Sequence, residues 1–326
     1  MSVIIKNIKK QPFYITLRRI YRKTHNKIDK VYFSFQRLKN KKIIKENLKE
    51  NIFAVDIISQ MGIGANLVWA LEIMAYCNEM GLTPQIKFTH PDCKTKEDYF
   101  GKYFEINSPS LSAKKNNFAK MRSFKDLNLD FQWNYNDKLS LELAARLIKK
   151  YLIIKPIIAK EVDAFQYKHF HMKNVLGVHY RGTDKKSEAK QITYGTMERN
   201  INLYLSKYPA TNCVFISSDD ENFINYIENS TVNCPIIYNN DSFRSSNDLA
   251  VHRVNNNLSE INKDALINCL LLSKGNALMK TASILSDLSV VFNSNLQVIL
   301  ISKPYENYRF FPGKELYNSN LFEPIE

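Results

Sequence analysis

The chain of 326 residues is 44% hydrophobic and 24% charged, ordinary values for a globular protein and enough length for two domains. No apolar run reaches the about 18 residues of a membrane span, the N-terminus lacks the unbroken apolar core of a secretory signal, and the five cysteines (Cys77, Cys93, Cys213, Cys234 and Cys269) suit neither a disulfide framework nor a zinc site. A reducing, cytoplasmic location is the expectation; the net charge of +14 is mostly local, because residues 1–50 hold 15 Lys and Arg against Asp29, Glu46 and Glu50, a net of +12 that leaves +2 for the rest.

That basic stretch is interleaved with aromatic residues. Phe13, Leu17, Ile20 and Tyr21 fall on one helical face, Arg18, Arg19, Arg22 and Lys23 lie mostly off it, and Val31, Tyr32, Phe33 and Phe35 extend the apolar side. Such a segment suits an anionic membrane surface and would hold the protein peripherally at the inner face of the cytoplasmic membrane. It equally suits a solvated lead-in whose apolar residues dock on the domain behind it. Nucleic acid is the least favoured of the three readings.

Ile52 to Ile57 reads as a buried strand, followed by Gly62-Ile63-Gly64-Ala65-Asn66, a helix carrying Leu67, Leu71, Met74 and Ala75, and a strand over Gln85 to Phe88. The pattern predicts a βαβ unit whose glycines allow a tight turn and close approach to a ligand, or serve packing alone. Residues 91–135 read as loops with short elements, in which Phe131, Trp133 and Tyr135 alternate as an edge strand, a sugar platform or, most simply, core. From Leu139 to Phe170 the pattern is helical and broken at Pro156, while His169 and His171 lack a third ligand and read as surface or linker. A boundary between residues 155 and 172 divides the chain into a domain over 51–170 and one over 171–326, behind the segment 1–50.

The second domain opens on the apolar run Val175 to Val178, which ends in His179, Arg181, Thr183, Asp184 and Lys185, with Glu188 close behind. Side chains at the carboxyl end of a buried parallel strand spill into the place where open α/β sheets bind ligands. Arg presents a rigid fork to phosphate, so the run suits an anionic ligand such as a sugar nucleotide; a salt-bridged strand end is the plain alternative. Regular alternation follows: helix to Pro209, strand from Cys213, Ser218-Asp219-Asp220, helix through Phe223 and Ile227, and strand at Pro235 to Tyr238. A polar loop over 239–263 contains His252, and Asp264 to Lys274 then reads as a helix. Ala277 to Lys280 is a strand, Thr281-Ala282-Ser283 a turn into a helix through Leu288 and Val291, and Val298 to Ile301 a closing strand. The expected class is α/β with doubly wound parallel sheets.

The run His179-Tyr180-Arg181-Gly182-Thr183-Asp184-Lys185, with Glu188-Ala189, resembles the main motif of the GDP-fucose-using fucosyltransferases, which include the α-1,6, the rhizobial nodulation and the protein O-fucosyltransferases. Their pattern is roughly His-x-Arg-Arg-Thr-Asp-Lys followed by Glu-Ala; here Gly182 replaces the second Arg and Glu-Ala sits one residue closer. Ser218-Asp219-Asp220 is similar to their second motif. Leu272-Ser273 with Asn276, the strand after it and Thr281 to Ser283 are similar to a third, so the resemblance covers residues 50 to 300. Gly62, Gly64 and Asn66 resemble the glycine turn of the family's first domain, and Val251-His252 resembles a Gly-Leu-His near the nucleotide.

The resemblance implies a GT-B-like pair of Rossmann-type domains facing a cleft, with GDP-fucose in the C-terminal one and a glycan acceptor opposite. It implies inverting transfer without a metal: Arg181 and helix N–H groups on the departing β-phosphate, Glu188 as general base, and His179, Thr183, Asp184, Lys185, Ser218, Asp219, Asp220, His252, Asn268, Thr281 and Ser283 on the donor. Asn268 and Asn276 replace Asp residues of the α-1,6 enzymes. No cofactor or metal is expected. A bacterial surface polysaccharide or lipid-linked oligosaccharide is the expected context; a different nucleotide sugar, or a non-catalytic binding module of the same fold, are the alternatives.

Overall fold

The structure, a computed structural model, describes residues 35–91, 97–107, 117–127, 135–183, 189–246, 251, 257–302, 304 and 310–318. The helical face from Phe13 to Tyr21, the residues Phe131 and Trp133, and Cys93 therefore lie outside the described residues.

The first unit is built on a three-stranded parallel sheet in the order β2-β1-β4, with β1 at Ile52–Ile58, β2 at Thr83–Thr89 and β4 at Ala119–Met121. Helix α1 (35–48) and helix α2 (Ile63–Met80) belong to this unit. Phe53, Val55 and Ile57 are fully buried and join α2 residues such as Leu71 and Met74 in one core. Gly62 caps α2 in extended backbone, and Gly81 ends it in the left-handed region at φ 68°, where a side chain would be strained. Buried Asn40 of α1 works as a clamp: its Nδ2 donates to the carbonyls of Lys120 (2.8 Å) and Asp126 (2.7 Å), and Lys120 N donates to its Oδ1 (3.0 Å). The back of the N-terminal segment is thus part of the folded body.

Helix α3 (Tyr99–Tyr103) leads into β3 (Phe104–Ile106), and α4 (Tyr135–Lys138) precedes α5 (Leu141–Tyr151). Tyr135 is buried with its ring 5.6 Å from that of Tyr76, so it is core. Strand β5 (Leu152–Ile154) pairs antiparallel with β3 and interrupts the helical run expected through this stretch. Pro156 explains the interruption, since the residue before a proline is driven out of the helical region; α6 (Pro156–Phe170) then starts with that proline in its first turn. Phe165 and Phe170 of α6 lie edge-on to Phe215 of β7 (Cys213–Ser218), at 5.5 and 5.3 Å, so this helix covers the second sheet.

The second sheet has five parallel strands in the order β10-β9-β6-β7-β8, with β6 at Val175–Tyr180, β8 at Ile236–Tyr238, β9 at Ala277–Lys280 and β10 at Gln297–Leu300. One face is covered by α7 (Tyr194–Lys207) and α8 (Glu221–Glu228), whose Met197, Ile201, Phe223 and Ile227 pack on Leu176, Val178, Val214 and Ile216. The other face carries α6, α9 (Leu258–Ser273) and α10 (Ile284–Phe292), and its core is continuous with that of the first unit. Helix α9 begins earlier than the polar-loop reading allows, because Asn257 accepts from Glu260 N and caps it. A last short helix, α11 (Gly313–Asn318), closes the described chain. The α/β class and the parallel sheets are those expected. Among the described residues no helix is long and apolar enough to cross a membrane.

Candidate functional site

All six residues of β6 are buried, and its register sets His179 beside Ser217 of β7 and Lys280 of β9. Three strand ends therefore converge: Arg181-Gly182-Thr183, Ser218-Asp219-Asp220 and Thr281-Ala282-Ser283. Asp219 ties the first turn together. Its Oδ2 lies 2.9 Å from Arg181 Nη1 and accepts from the Thr183 hydroxyl, while its Oδ1 accepts from Gly182 N at 3.0 Å. Arg181 N donates to Thr281 Oγ1 at 2.9 Å, and Thr281 N to the His179 carbonyl at 3.0 Å, which joins the motif to the turn entering α10.

The other expected donor residues have structural partners. Ser218 Oγ donates to the Tyr180 carbonyl (2.8 Å) and accepts from Asp220 N (3.1 Å). Asp220 caps α8 by accepting from Asn222 N (3.0 Å) and also accepts from Tyr194 OH (2.8 Å). Ser283 stands in extended backbone at the start of α10, and its carbonyl accepts from Asp287 N at 3.0 Å. Among the described residues no side chain caps that helix start with a hydrogen bond, and the N–H groups of a helix's first turn suit an anion. Asn268 donates to Ser242 Oγ and Asp264 Oδ1, both at 2.8 Å, and so sits in a knot holding the segment after β8 to α9. Burial pushes the Asp264 carboxyl in that knot up to about 6, although it also accepts from Ser242 and Phe243 N. Beside the knot lies a cavity of about 680 Å³ walled by Phe165, Tyr238, Phe243, Asp264 and Ile267.

His179 is 3% exposed, and burial, helped by Lys280 and Arg181, holds its pKa down at about 3. Its ring is neutral, and among the described residues its Nδ1 has no hydrogen-bond partner. Gly182 has a steric reason: a Cβ there would stand 2.4 Å from Asp220 Oδ2, 2.7 Å from Asp220 Cβ and 2.8 Å from Tyr180 Cε1. The second Arg of the resembled motif cannot be placed without moving the α8 cap. Asp184, Lys185, Glu188 and His252 lie outside the described residues.

The glycine turn meets this site from the first unit. A Cβ on Gly64 would touch Ile284 Cγ2 at 3.5 Å and Leu285 Cα at 3.6 Å, so the starts of α2 and α10 abut. Ile63 N donates to Asn262 Oδ1 of α9 (3.2 Å), and Asn66 Nδ2 to the Met61 carbonyl (3.2 Å). Neither Gly62 nor Gly64 has a positive φ; Gly64 lies in the contact between units, whereas a Cβ on Gly62 would meet open space.

Sequence reasoning passed over Lys280, Asp287 and Tyr317. Lys280 Nζ lies 2.7 Å from Asp287 Oδ1 and donates to Tyr317 OH at 3.1 Å, and the ion pair is essentially inaccessible, at 1% and 0% side-chain exposure. Burial pulls the Lys280 pKa down while Asp287 pulls it back. The signal was a lone charge ending an apolar strand and another inside an apolar helix. Among the described residues, no three His, Cys, Asp or Glu side chains gather as a metal site would require.

The arrangement can hold an anion between a pre-oriented guanidinium and a helix start. No protein-family model and no curated protein matches the chain. The chain is similar in structure to the NodZ α-1,6-fucosyltransferase co-crystallised with GDP, at 16% identity and TM-score 0.45 over 76% of this chain and 93% of that one; NodZ is from Bradyrhizobium. It is also similar to a mutant of Arabidopsis thaliana FUT1 in complex with GDP (9% identity, TM-score 0.46, 82% and 78% covered) and to POFUT1 in complex with GDP (10%, 0.44, 75% and 97%).

Proposed function

We propose that the chain is an inverting glycosyltransferase that moves fucose from GDP-fucose to a glycan hydroxyl without a metal. The observation that carries the reading is the Arg181–Asp219–Thr183 turn, hydrogen-bonded through Thr281 to the open start of α10, on a sequence that resembles the family's main motif. The acceptor oxygen attacks the anomeric carbon, the bond to the β-phosphate oxygen breaks with inversion, and GDP leaves with the added charge. Arg181 and the α10 N–H groups stabilise that charge, and because Asp219 already orients the guanidinium, little reorganisation is needed as it develops. Glu188 takes the acceptor proton. Thr281 and Ser283 lie along the diphosphate, His179 serves as a neutral wall, and the base runs toward the Asn268 knot. The protein works at the inner face of the cytoplasmic membrane through the basic segment 1–50, on a surface-polysaccharide or lipid-linked acceptor.

Thermal stabilisation by GDP, ADP, UDP and CDP, each with and without EDTA, is the first test. Selective, EDTA-insensitive stabilisation by GDP is the expected result, and Arg181→Ala is expected to abolish transfer with the fold intact. Preference for another nucleotide removes fucose, and turnover by Arg181→Ala removes the phosphate clamp.

A further inference from the structure

Helix α1 has two faces, and the fold uses one of them. Asn40, Ile44 and Asn47 are buried against the first unit. Ile44 joins its core, Asn40 is the clamp on β4, and Asn47 Nδ2 donates to the Asn117 carbonyl at 2.8 Å. With about 100° between successive residues, Phe35, Leu38, Lys42 and Lys45 fall on the opposite side. Phe35 is 72% exposed and Leu38 66%, and Lys39, Lys41, Lys42 and Lys45 are exposed around them. Over residues 35–48 five Lys and Arg stand against a single carboxylate, Glu46.

Three apart on a helix, Phe35 and Leu38 are neighbours and make one apolar spot. A face that met only water would gain nothing from it, and a face that met nucleic acid would use the lysines without Leu38. Apolar anchors ringed by lysines match the interfacial zone of a bilayer. There the ring and the aliphatic side chain enter the acyl boundary while the ammonium groups stay with anionic lipid phosphates.

The anchors belong to the first turns of α1. Gln36, beside them, lines a cavity of about 400 Å³ with Ile58 of β1, Thr89 of β2 and Arg122 just past β4, so this end of the helix lies at the carboxyl edge of the first sheet. Gln36 Nε2 also donates to Asn40 Oδ1 (2.9 Å), which ties the same turn to the clamp. The outer face of α1 is therefore carried rigidly on the body rather than on a tether.

We propose that this face docks on an anionic bilayer, with Phe35 and Leu38 in the interface and Lys42 and Lys45 on lipid phosphates, and so sets the carboxyl edge of the first sheet beside the headgroups. The inference deepens the membrane reading of the proposed function and rests on it. The basic residues ahead of α1 attract a bilayer; α1 gives the contact an orientation, with the acceptor unit turned toward a lipid-linked substrate.

Flotation of the full chain with phosphatidylcholine vesicles, with and without phosphatidylglycerol, tests it. Binding is expected only with phosphatidylglycerol. Phe35→Ser/Leu38→Ser and Lys42→Gln/Lys45→Gln are each expected to weaken it about tenfold while leaving the thermal response to GDP unchanged. Orientation is read by fluorescence: doxyl-labelled lipid is expected to quench Phe35→Trp beyond the wild-type signal, and not Met80→Trp at the opposite edge of the sheet. Unchanged binding by either double variant, or equal quenching at both positions, overturns the docking face and leaves attachment to the residues before α1. Tighter binding to duplex DNA than to the vesicles, or self-association that Phe35→Ser/Leu38→Ser abolishes, overturns it in favour of nucleic acid or a second copy. No binding to any vesicle removes the membrane reading as well, and docking without a GDP response keeps this face and removes the transferase.

Discussion

At the edge of the second sheet the polar side chains are bonded to one another, with Asp219 holding Arg181, Gly182 N and Thr183, and Ser218 and Asp220 locked into strand and cap. At the edge of the first sheet, Asp56 stands between two lysines with a buried oxygen that has no hydrogen-bond partner among the described residues. The first arrangement meets its desolvation cost on folding, and the reactive side chain arrives pre-oriented. The second carries part of that cost in the folded state.

The comparison breaks most visibly at Lys280. Removing one member of a buried ion pair strands the other, so Lys280→Met is expected to cost about 3–5 kcal/mol in urea unfolding, with most of it recovered by Lys280→Met/Asp287→Leu. A double variant as unstable as the single one would mean that the pair does more than neutralise itself. Next comes Asp219→Ala, expected to cost about 2–4 kcal/mol and to remove any response to GDP. Full stability in that variant would show that the 181–183 turn holds without its hub. Gly182→Ala follows at about 1–3 kcal/mol, because Asp220 and Tyr180 must move; a neutral result would place the α8 cap as adaptable.

The smallest effect has the opposite sign and sharpens the contrast. The Asp56 pKa is raised in the fold, so the stability it contributes is fully present below its ordinary value of 3.8 and is lost as pH rises through the raised one. Asp56→Asn removes that loss and is expected to stabilise by about 0.5–1 kcal/mol at pH 7, with no gain at pH 3. Urea unfolding at the two pH values checks it, and a destabilised variant at pH 7 would mean that the carboxylate is already satisfied.

Elements with a clear apolar period were legible: α2, β6, β7 and β9 stand where the spacing put them, and α9 ends there but starts earlier, at Leu258. Two short ones were not. Ala119 to Met121 has three residues and a lysine in the middle, so neither period nor composition marks it as the third strand of a sheet. Leu152 to Ile154 was hidden by the helix before it, though Pro156 carried the warning. At the site, the motif identified Arg181, and its single departure, Gly182, has a steric cause that no spacing could display. Asp219 was read as facing the nucleotide, whereas its contacts with the turn depend on a register between β6 and β7 that only the assembled sheet defines. Asp56 was seen only as one residue of a strand, because its significance lies in Lys87 and Lys120, 31 and 64 residues away.

The shared core has a consequence for the chain as a material. Leu67, Leu71 and Met74 of α2 and Ile148 of α5 press on Leu288 and Phe292 of α10, so helices of one unit complete the apolar interior of the other. Severed near residue 171, each half would carry a bare greasy flank and would self-associate rather than stay dissolved. Heated intact, the two halves are expected to melt in a single transition.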